Sequence, residues 1–229
     1  MSWTDSSLHC NEIQSPPCCQ DTFERVKKYF DFFFILKNII LRGANCNEAD
    51  HQHKTPLIAA IFYKNLDILN HLRKEVYNTK LHELFRMVDV DKRNILHISV
   101  LSKDNLIIKS VLDWLRPHRA VLTFLLRGKD YKGNTPFHLA CQLGRLEELT
   151  EEFVGLHSSQ DLLVVNELDQ TPFHVAAKSG SLRMLKCLHA RDLEKEDIFL
   201  INKNDIDQCT PLHLAAMNTV IFFLDIFFK

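Results

Sequence analysis

One short phrase recurs five times along the chain. It reads TPLIAA at 55–60, NILHISV at 94–100, TPFHLAC at 135–141, TPFHVAA at 171–177 and TPLHLAA at 210–216. The first residues of these phrases are separated by steps of 39, 41, 36 and 39 residues. Recurrence at such a period is typical of an array of similar units, because one small unit cannot bury its apolar face alone. This feature restricts the fold more than any other property of the sequence.

The phrase predicts the beginning of a helix. A threonine hydroxyl can cap free N–H groups of the first turn, and proline is tolerated there. Four phrases open in this way, with Thr55–Pro56, Thr135–Pro136, Thr171–Pro172 and Thr210–Pro211. Gly144 and Gly180 follow their threonines by nine residues, where the end of a helix favours a left-handed residue. A second helix is predicted after each glycine, since Leu182, Leu185 and Leu188 recur at spacings of three.

These features resemble the ankyrin-repeat family, whose unit of about 33 residues carries the pattern T-P-L-H-x-A-A. The best matches are GNTPFHLACQLGRLEEL, QTPFHVAAKSGSLRMLKCL and RGANCNEAD. The resemblance covers residues 22–229. It implies an all-α fold, an ankyrin-repeat solenoid of about six helix-turn-helix units with β-hairpin-like or extended loops. The units would start near residues 22, 55, 94, 135, 171 and 210, and the last would be incomplete.

Four histidines occupy the same place in their units: His97, His138, His174 and His213. A catalytic centre needs one converged group of residues, whereas stacking places these four in separate units. In ankyrin repeats this histidine bonds to the threonine and to the backbone of the adjacent unit, and the resemblance implies the same here. We therefore interpret the histidines, with the Thr-Pro pairs and the glycines, as framework residues.

Several stretches depart from the pattern. Residues 1–21 are predicted to be a disordered polar lead-in, and residues 22–47 an N-terminal capping unit, because Lys27 and Lys28 replace the Ala-Ala pair. The unit at 94 has Asn94 and Ile95 instead of Thr-Pro, so we expect it to be the least regular. The final unit has Thr219 in place of glycine and ends inside its second helix. We expect an uncapped apolar face there, which would favour self-association.

Extra residues follow each second helix, at 75–88, 117–128, 157–160 and 193–197. Two of these insertions have partly helical spacing, as in Leu81, Leu84, Phe85 and Val88. Insertions in repeat arrays map to loops that often form a binding face. Long second helices that only fill space remain the alternative.

Composition and motifs disfavour several classes of function. A net charge of −1 disfavours nucleic acid as a partner, and no apolar stretch reaches the 20 or so residues of a membrane span. No phosphate-binding or nucleophile motif occurs, so we expect neither an enzyme nor a bound cofactor. Cys46, His51 and His53 lie close together, but the repeat pattern accounts for them and a fourth ligand is missing, so no metal site is expected. Seven cysteines without a paired framework and a polar start favour the cytoplasm, with membrane association only as part of a longer channel.

Candidate partner-binding residues follow from their positions in the unit. Phe62 and Tyr63 stand at the end of the first helix, which faces the concave groove in ankyrin proteins, and Gln142 and Lys178 belong to the matching pairs. Tyr131 and Lys132 belong to a loop tip. Large aromatic residues at such places can anchor a protein partner.

The sequence therefore favours a protein–protein interaction scaffold or adaptor that binds through the concave face and the loops. A first alternative is a cytosolic N-terminal ankyrin-repeat fragment of a transient receptor potential-type cation channel, because such channels carry long ankyrin stacks with irregular units and enlarged loops. A second alternative is a regulatory ankyrin segment attached to an enzyme.

Overall fold

A computed structural model of the chain describes residues 45–75, 81–144, 153, 155–156, 159–193 and 201–217. The chain divides into two compact units, residues 1–44 and residues 45–229, and every described residue belongs to the second. The predicted lead-in at 1–21 and most of the predicted capping unit at 22–47 lie outside the described residues. The final stretch, 218–229, on which the expected self-association depends, lies outside them as well.

The described residues form α-helices and no β-strand, which confirms the all-α prediction. The helices are α1 (Pro56–Phe62), α2 (Leu66–Glu75), α3 (Leu81–Arg86), α4 (Ile95–Ser102), α5 (Asn105–Leu115), α6 (Arg119–Arg127), α7 (Pro136–Leu143), α8 (Ser159–Leu162), α9 (Pro172–Ser179), α10 (Leu182–Leu193) and α11 (Pro211–Met217). None of these helices is both long enough and apolar enough to cross a membrane.

The helices formed by the recurring phrases share the same kind of N-cap, and α1, α4, α7 and α9 share the same left-handed turn after their last residues. The hydroxyls of Thr55, Thr135 and Thr171 accept hydrogen bonds from backbone N–H groups three residues later. Helices α7 and α9 end at left-handed glycines, Gly144 and Gly180, with φ of 60° and 73°. Lys64 and Lys103 hold the same positions after α1 and α4, and each has a φ of 56°. Units without the glycine thus keep the same turn, although a side chain in this region is strained.

The unit at 94 differs from the expectation that it would be the least regular. Asn94 Oδ1 accepts from the backbone N–H groups of Leu96 and His97, so the asparagine caps α4 as a threonine would. Its amide Nδ2 also donates to the carbonyl of Leu125, 2.8 Å away, in α6. Asparagine replaces threonine here because the amide can cap its own helix and hold the inserted helix at the same time.

Five loops of one design precede helices α1, α4, α7, α9 and α11. Each begins with an aspartate or asparagine whose Oδ1 accepts from the backbone N–H groups two and four residues later. The residue three positions on has a positive φ in every loop. The initiating residues are Asp50, Asp89, Asp130, Asn166 and Asp205. Each stands five residues before the recurring phrase, so the loops repeat with the helices.

Packing follows the order of the phrases. Helix α1 packs on α4, α4 on α7, α7 on α9, and α9 on α11, while α2 packs on α5. The insertions at 75–88 and 117–128 contain helices α3 and α6, which pack on each other. Phe85 of α3 is fully buried, with its ring centroid 5.0 Å from that of Trp114. The helical spacing of these two insertions is confirmed, and their packing favours the alternative in which they extend the apolar core.

Candidate functional site

The histidines of the recurring phrase lie in the framework between consecutive units. His138 Nδ1 accepts from the backbone N–H of Thr135 at 3.2 Å, which leaves the ring proton on Nε2. Nε2 then donates to the carbonyl of Gln170 at 3.0 Å, in the loop of the next unit. His97 contacts Asn134 in the same way at 2.9 Å, and His174 contacts Cys209 at 3.2 Å. Both ring nitrogens of each buried histidine are engaged by these bonds.

Burial keeps these histidines neutral. Removal from water lowers the pKa of His97 and of His138 to about 4, and it also lowers the pKa of His174. A neutral ring with both nitrogens hydrogen-bonded has no site left for a metal or for proton transfer at neutral pH. Among the described residues, no group of three or more His, Cys, Asp or Glu side chains could hold a metal ion.

Neighbouring loops are joined tip to tip. Three bonds join the backbone N–H of one loop to a backbone carbonyl of the preceding loop: Tyr131 to Asp91 at 2.9 Å, Glu167 to Lys132 at 3.1 Å, and Ile206 to Leu168 at 3.0 Å. Behind the tips, the amides of Asn166 and Gln170 continue the same connection. These bonds fix the tips relative to one another, while large apolar side chains there stay exposed: Val90, Tyr131, Leu168 and Ile206.

A cavity of about 690 Å³ lies between these loops and the ends of helices α4, α7 and α9. We call it the groove. Its lining includes Arg93, Leu101, Tyr131, Lys132, Leu139, Gln142, Glu167, Leu168, Val175, Lys178 and Ser179. The structure therefore brings together four of the six predicted partner-binding residues: Tyr131, Lys132, Gln142 and Lys178.

The groove has a buried apolar floor and an exposed polar rim. Leu139 and Val175 are buried, whereas Gln142 and Lys178 are exposed. Tyr131 is 50% exposed, and the Lys132 ammonium lies 5.3 Å from its ring centroid. A hydrogen bond to the Tyr131 side chain raises the pKa of Lys132 above its ordinary value.

Sequence reasoning missed Leu101, Glu167 and Leu168 as lining residues. A signal for Leu101 was present, because Phe62, Leu101, Gln142 and Lys178 each stand seven residues after the start of their phrase. Glu167 and Leu168 line the groove because the loop at 166 follows the same design as the loop at 130, which carries Tyr131 and Lys132. The sequence analysis expected hairpin-like or extended loops between the units but did not identify their initiating aspartate or asparagine.

Phe62 and Tyr63 do not line the groove. They are exposed at the end of α1, by 48% and 72%, with ring centroids 5.2 Å apart and ring planes at 84°. The Lys54 ammonium lies 3.7 Å from the Phe62 centroid and 5.9 Å from that of Tyr63. The pair is a surface feature, and its contact with Lys54 was not anticipated from the sequence.

A smaller cavity of about 200 Å³ lies on the inserted helices α3 and α6, lined by Arg86, Ala120, Val121 and Phe124. The Arg86 guanidinium lies 5.7 Å from the Phe124 ring centroid. At the C-terminal end of the same helix, Arg127 of α6 donates to Asp161 of α8 at 2.7 Å. An exposed cation–π contact of this kind contributes about 0.5–1 kcal/mol.

No family model matches the chain. Over 207 residues the chain is 30% identical to the transient receptor potential cation channel subfamily A member 1 of Homo sapiens, an alignment that covers 87% of this chain and 16% of that protein. It is 26% identical over 217 residues to the Drosophila melanogaster protein of the same name, covering 79% of this chain and 17% of that protein. The chain thus spans about a sixth of the length of these relatives, and most of it is similar to a segment of a cation channel protein.

Proposed function

We propose that residues 45–229 belong to an ankyrin-type stack whose groove binds a segment of another protein. The observation that carries this proposal is the groove itself, in which residues from three loops and three helices surround one cavity. Support for the ankyrin assignment comes from the recurring caps, the five equivalent loops and the histidine bonds between units. In this proposal the chain performs no reaction of its own.

The chemistry of the groove suits a polypeptide. Leu139 and Val175 offer an apolar floor, while Gln142, Lys132 and Lys178 can bond to backbone carbonyls or carboxylates along the rim. Tyr131 projects at the tip of a loop whose backbone is fixed by Asp130 and Asp91. A rigidly held tyrosine loses little conformational freedom on binding, which is why such residues often dominate interface energies.

The test uses the full chain as bait in a cell lysate of the source organism. We expect Tyr131→Ala to reduce the amount of specifically captured protein by about tenfold, which corresponds to about 1.4 kcal/mol. Phe124→Ala is the matched control, because Phe124 is a 56% exposed aromatic residue away from the groove. Equal capture by the wild type and by Tyr131→Ala, with loss only in Phe124→Ala, would move the binding surface to the inserted helices.

A second candidate function rests on the similarity to the channel proteins. We propose that the stack is the ankyrin region of a transient receptor potential-type channel, in which case the groove would bind another part of the channel or a regulatory protein. Sequencing the full-length transcript distinguishes the two candidates. A channel requires six further apolar stretches of about 20 residues in the same reading frame, whereas an adaptor lacks them. Either candidate would function in the cytoplasm, with membrane association only in the channel.

A further inference from the structure

We propose that the surface formed by Lys54, Phe62 and Tyr63 binds an acidic segment of a protein partner. We call this surface the aromatic–lysine site. The inference rests on the proposed function, since it names the chemical class of the partner, but it concerns a surface outside the groove. The site would bind a carboxylate beside an apolar side chain.

The first step of the argument is that the lysine is held in place. The loop at Asp50 fixes the Lys54 backbone, because Asp50 Oδ1 accepts from the Lys54 N–H at 2.8 Å and the Lys54 carbonyl accepts from the Asp50 N–H at 3.0 Å. The Lys54 ammonium donates to Gln52 Oε1 at 2.6 Å and lies over the Phe62 ring. An ammonium has three N–H donors, so these contacts leave capacity for a carboxylate of a partner.

The second step is a comparison with the next loop. Arg93 is the equivalent of Lys54, four residues after Asp89, and its guanidinium forms ion pairs with both Asp89 and Asp91. In the first loop the position of Asp91 is held by Gln52, a neutral residue. Within the described part of the chain, Lys54 therefore has no carboxylate at ion-pair distance, whereas the cation of the next loop is neutralised by its own loop.

The third step is the surrounding charge. Lys64, the residue after Tyr63, is exposed, so a second cation follows the aromatic pair in the sequence. Asp50, which begins this loop, accepts hydrogen bonds from the backbone N–H groups of Gln52 and Lys54 through one carboxylate oxygen. These hydrogen bonds lower the pKa of Asp50, and the bond from the Lys54 N–H has the larger effect. The site thus combines a cationic side chain, which has no ion pair with a described carboxylate, with exposed aromatic faces.

An acidic peptide fits this site better than a polyanion does. The cations are few and local, and the whole chain has a net charge of −1, whereas nucleic acids and anionic membranes select extended basic surfaces. Two rings at right angles offer a contact for one apolar side chain, and the adjacent ammonium offers a charge-assisted hydrogen bond to one carboxylate.

The experiment measures fluorescence anisotropy of labelled synthetic peptides with the 229-residue chain at low ionic strength. The probe is a peptide of about ten residues that contains several glutamates around a central leucine, and the matched probe has glutamine at each glutamate. We expect the acidic probe to bind and the glutamine probe to bind at least about tenfold more weakly. Added salt should weaken the acidic complex.

Two substitutions test the charge of Lys54 without removing its shape. Lys54→Met keeps the apolar stem, and Gln52→Glu places a carboxylate where an amide oxygen already contacts the ammonium. Each is expected to weaken binding of the acidic probe by about tenfold. Lys54→Arg keeps the positive charge and is expected to bind the probe like the wild type. Thermal melting should show that Gln52→Glu remains folded, so that loss of binding is not loss of structure.

The outcomes separate this inference from the proposed function. Equal binding of the two peptides, no binding of either, or unchanged affinity in Gln52→Glu would overturn the inference. Binding of phosphatidylserine vesicles or a single-stranded oligonucleotide that depends on Lys54, with no binding of the acidic peptide, would also overturn it. If Tyr131→Ala still reduces capture of a protein partner in those cases, the groove proposal stands and only the aromatic–lysine site is wrong. If Tyr131→Ala has no effect on capture, the groove proposal itself fails.

Discussion

Replacing His138 by alanine should destabilise the array at one junction between units. The imidazole is fully buried, and it bonds to the backbone N–H of Thr135 and to the carbonyl of Gln170. Each buried group left without its partner costs about 1–3 kcal/mol, and removal of the ring leaves a cavity with a further cost. Allowing for partial relaxation, we expect a total loss of about 3–5 kcal/mol, at the upper end for single substitutions.

The assay is urea unfolding combined with amide hydrogen exchange. Exchange should rise most at Thr135 and in the loop that contains Gln170, since stability in repeat arrays is a sum of unit and neighbour contributions. His213→Ala is the matched control, because His213 holds the equivalent position and bonds to Thr210 but lies exposed. Its loss should cost less than about 1 kcal/mol.

The reasoning fails if His138→Ala and His213→Ala cost the same. It also fails if exchange in His138→Ala rises uniformly along the chain, because the histidine would then not act at a single junction. A loss below about 1 kcal/mol for His138→Ala would show that its two buried partners find other hydrogen bonds without it.

Two further predictions concern pH and one glycine. Burial lowers the folded-state pKa of His97 and His138 from 6.5 to about 4. Their contribution to stability is therefore fully present above about pH 6.5 and is lost as the pH falls towards about 4, by on the order of 3 kcal/mol for each histidine. Urea unfolding at a series of pH values measures this loss, and a free energy of unfolding that stays constant over that window would contradict it. Gly128→Ala places a Cβ 2.5 Å from the Asn94 amide nitrogen, so it should break the bond to the inserted helix α6 and cost about 1–3 kcal/mol. Gly155→Ala is the control, since nothing lies within 4 Å of its added Cβ, and equal melting temperatures for the two variants would refute the explanation.

Much of the helical framework follows from the sequence, because its causes are local. A threonine three residues before a histidine, a proline in the first turn and a glycine nine residues after the threonine act within one short segment. The start of α7 at Pro136 and its end before Gly144 were therefore predictable. The loop at Asp130 is just as local, since its Oδ1 bonds only to residues two and four positions on.

Tertiary structure alone decided the surfaces. Asn94 departs from the Thr-Pro pattern of the other units. Its amide donates to the carbonyl of Leu125 in α6, 31 residues away, a contact that no local propensity encodes. Lys132 and Lys178 share the groove because their units stack, while Phe62, which stands at the same point of its unit as Lys178, lies outside the groove under Lys54. The sequence by itself determined the repeated unit, since capping and turn formation depend on neighbours in the chain. The groove depends on contacts between units, and the aromatic–lysine site depends on the fold that brings the Lys54 ammonium over the Phe62 ring. Packing in three dimensions decides both.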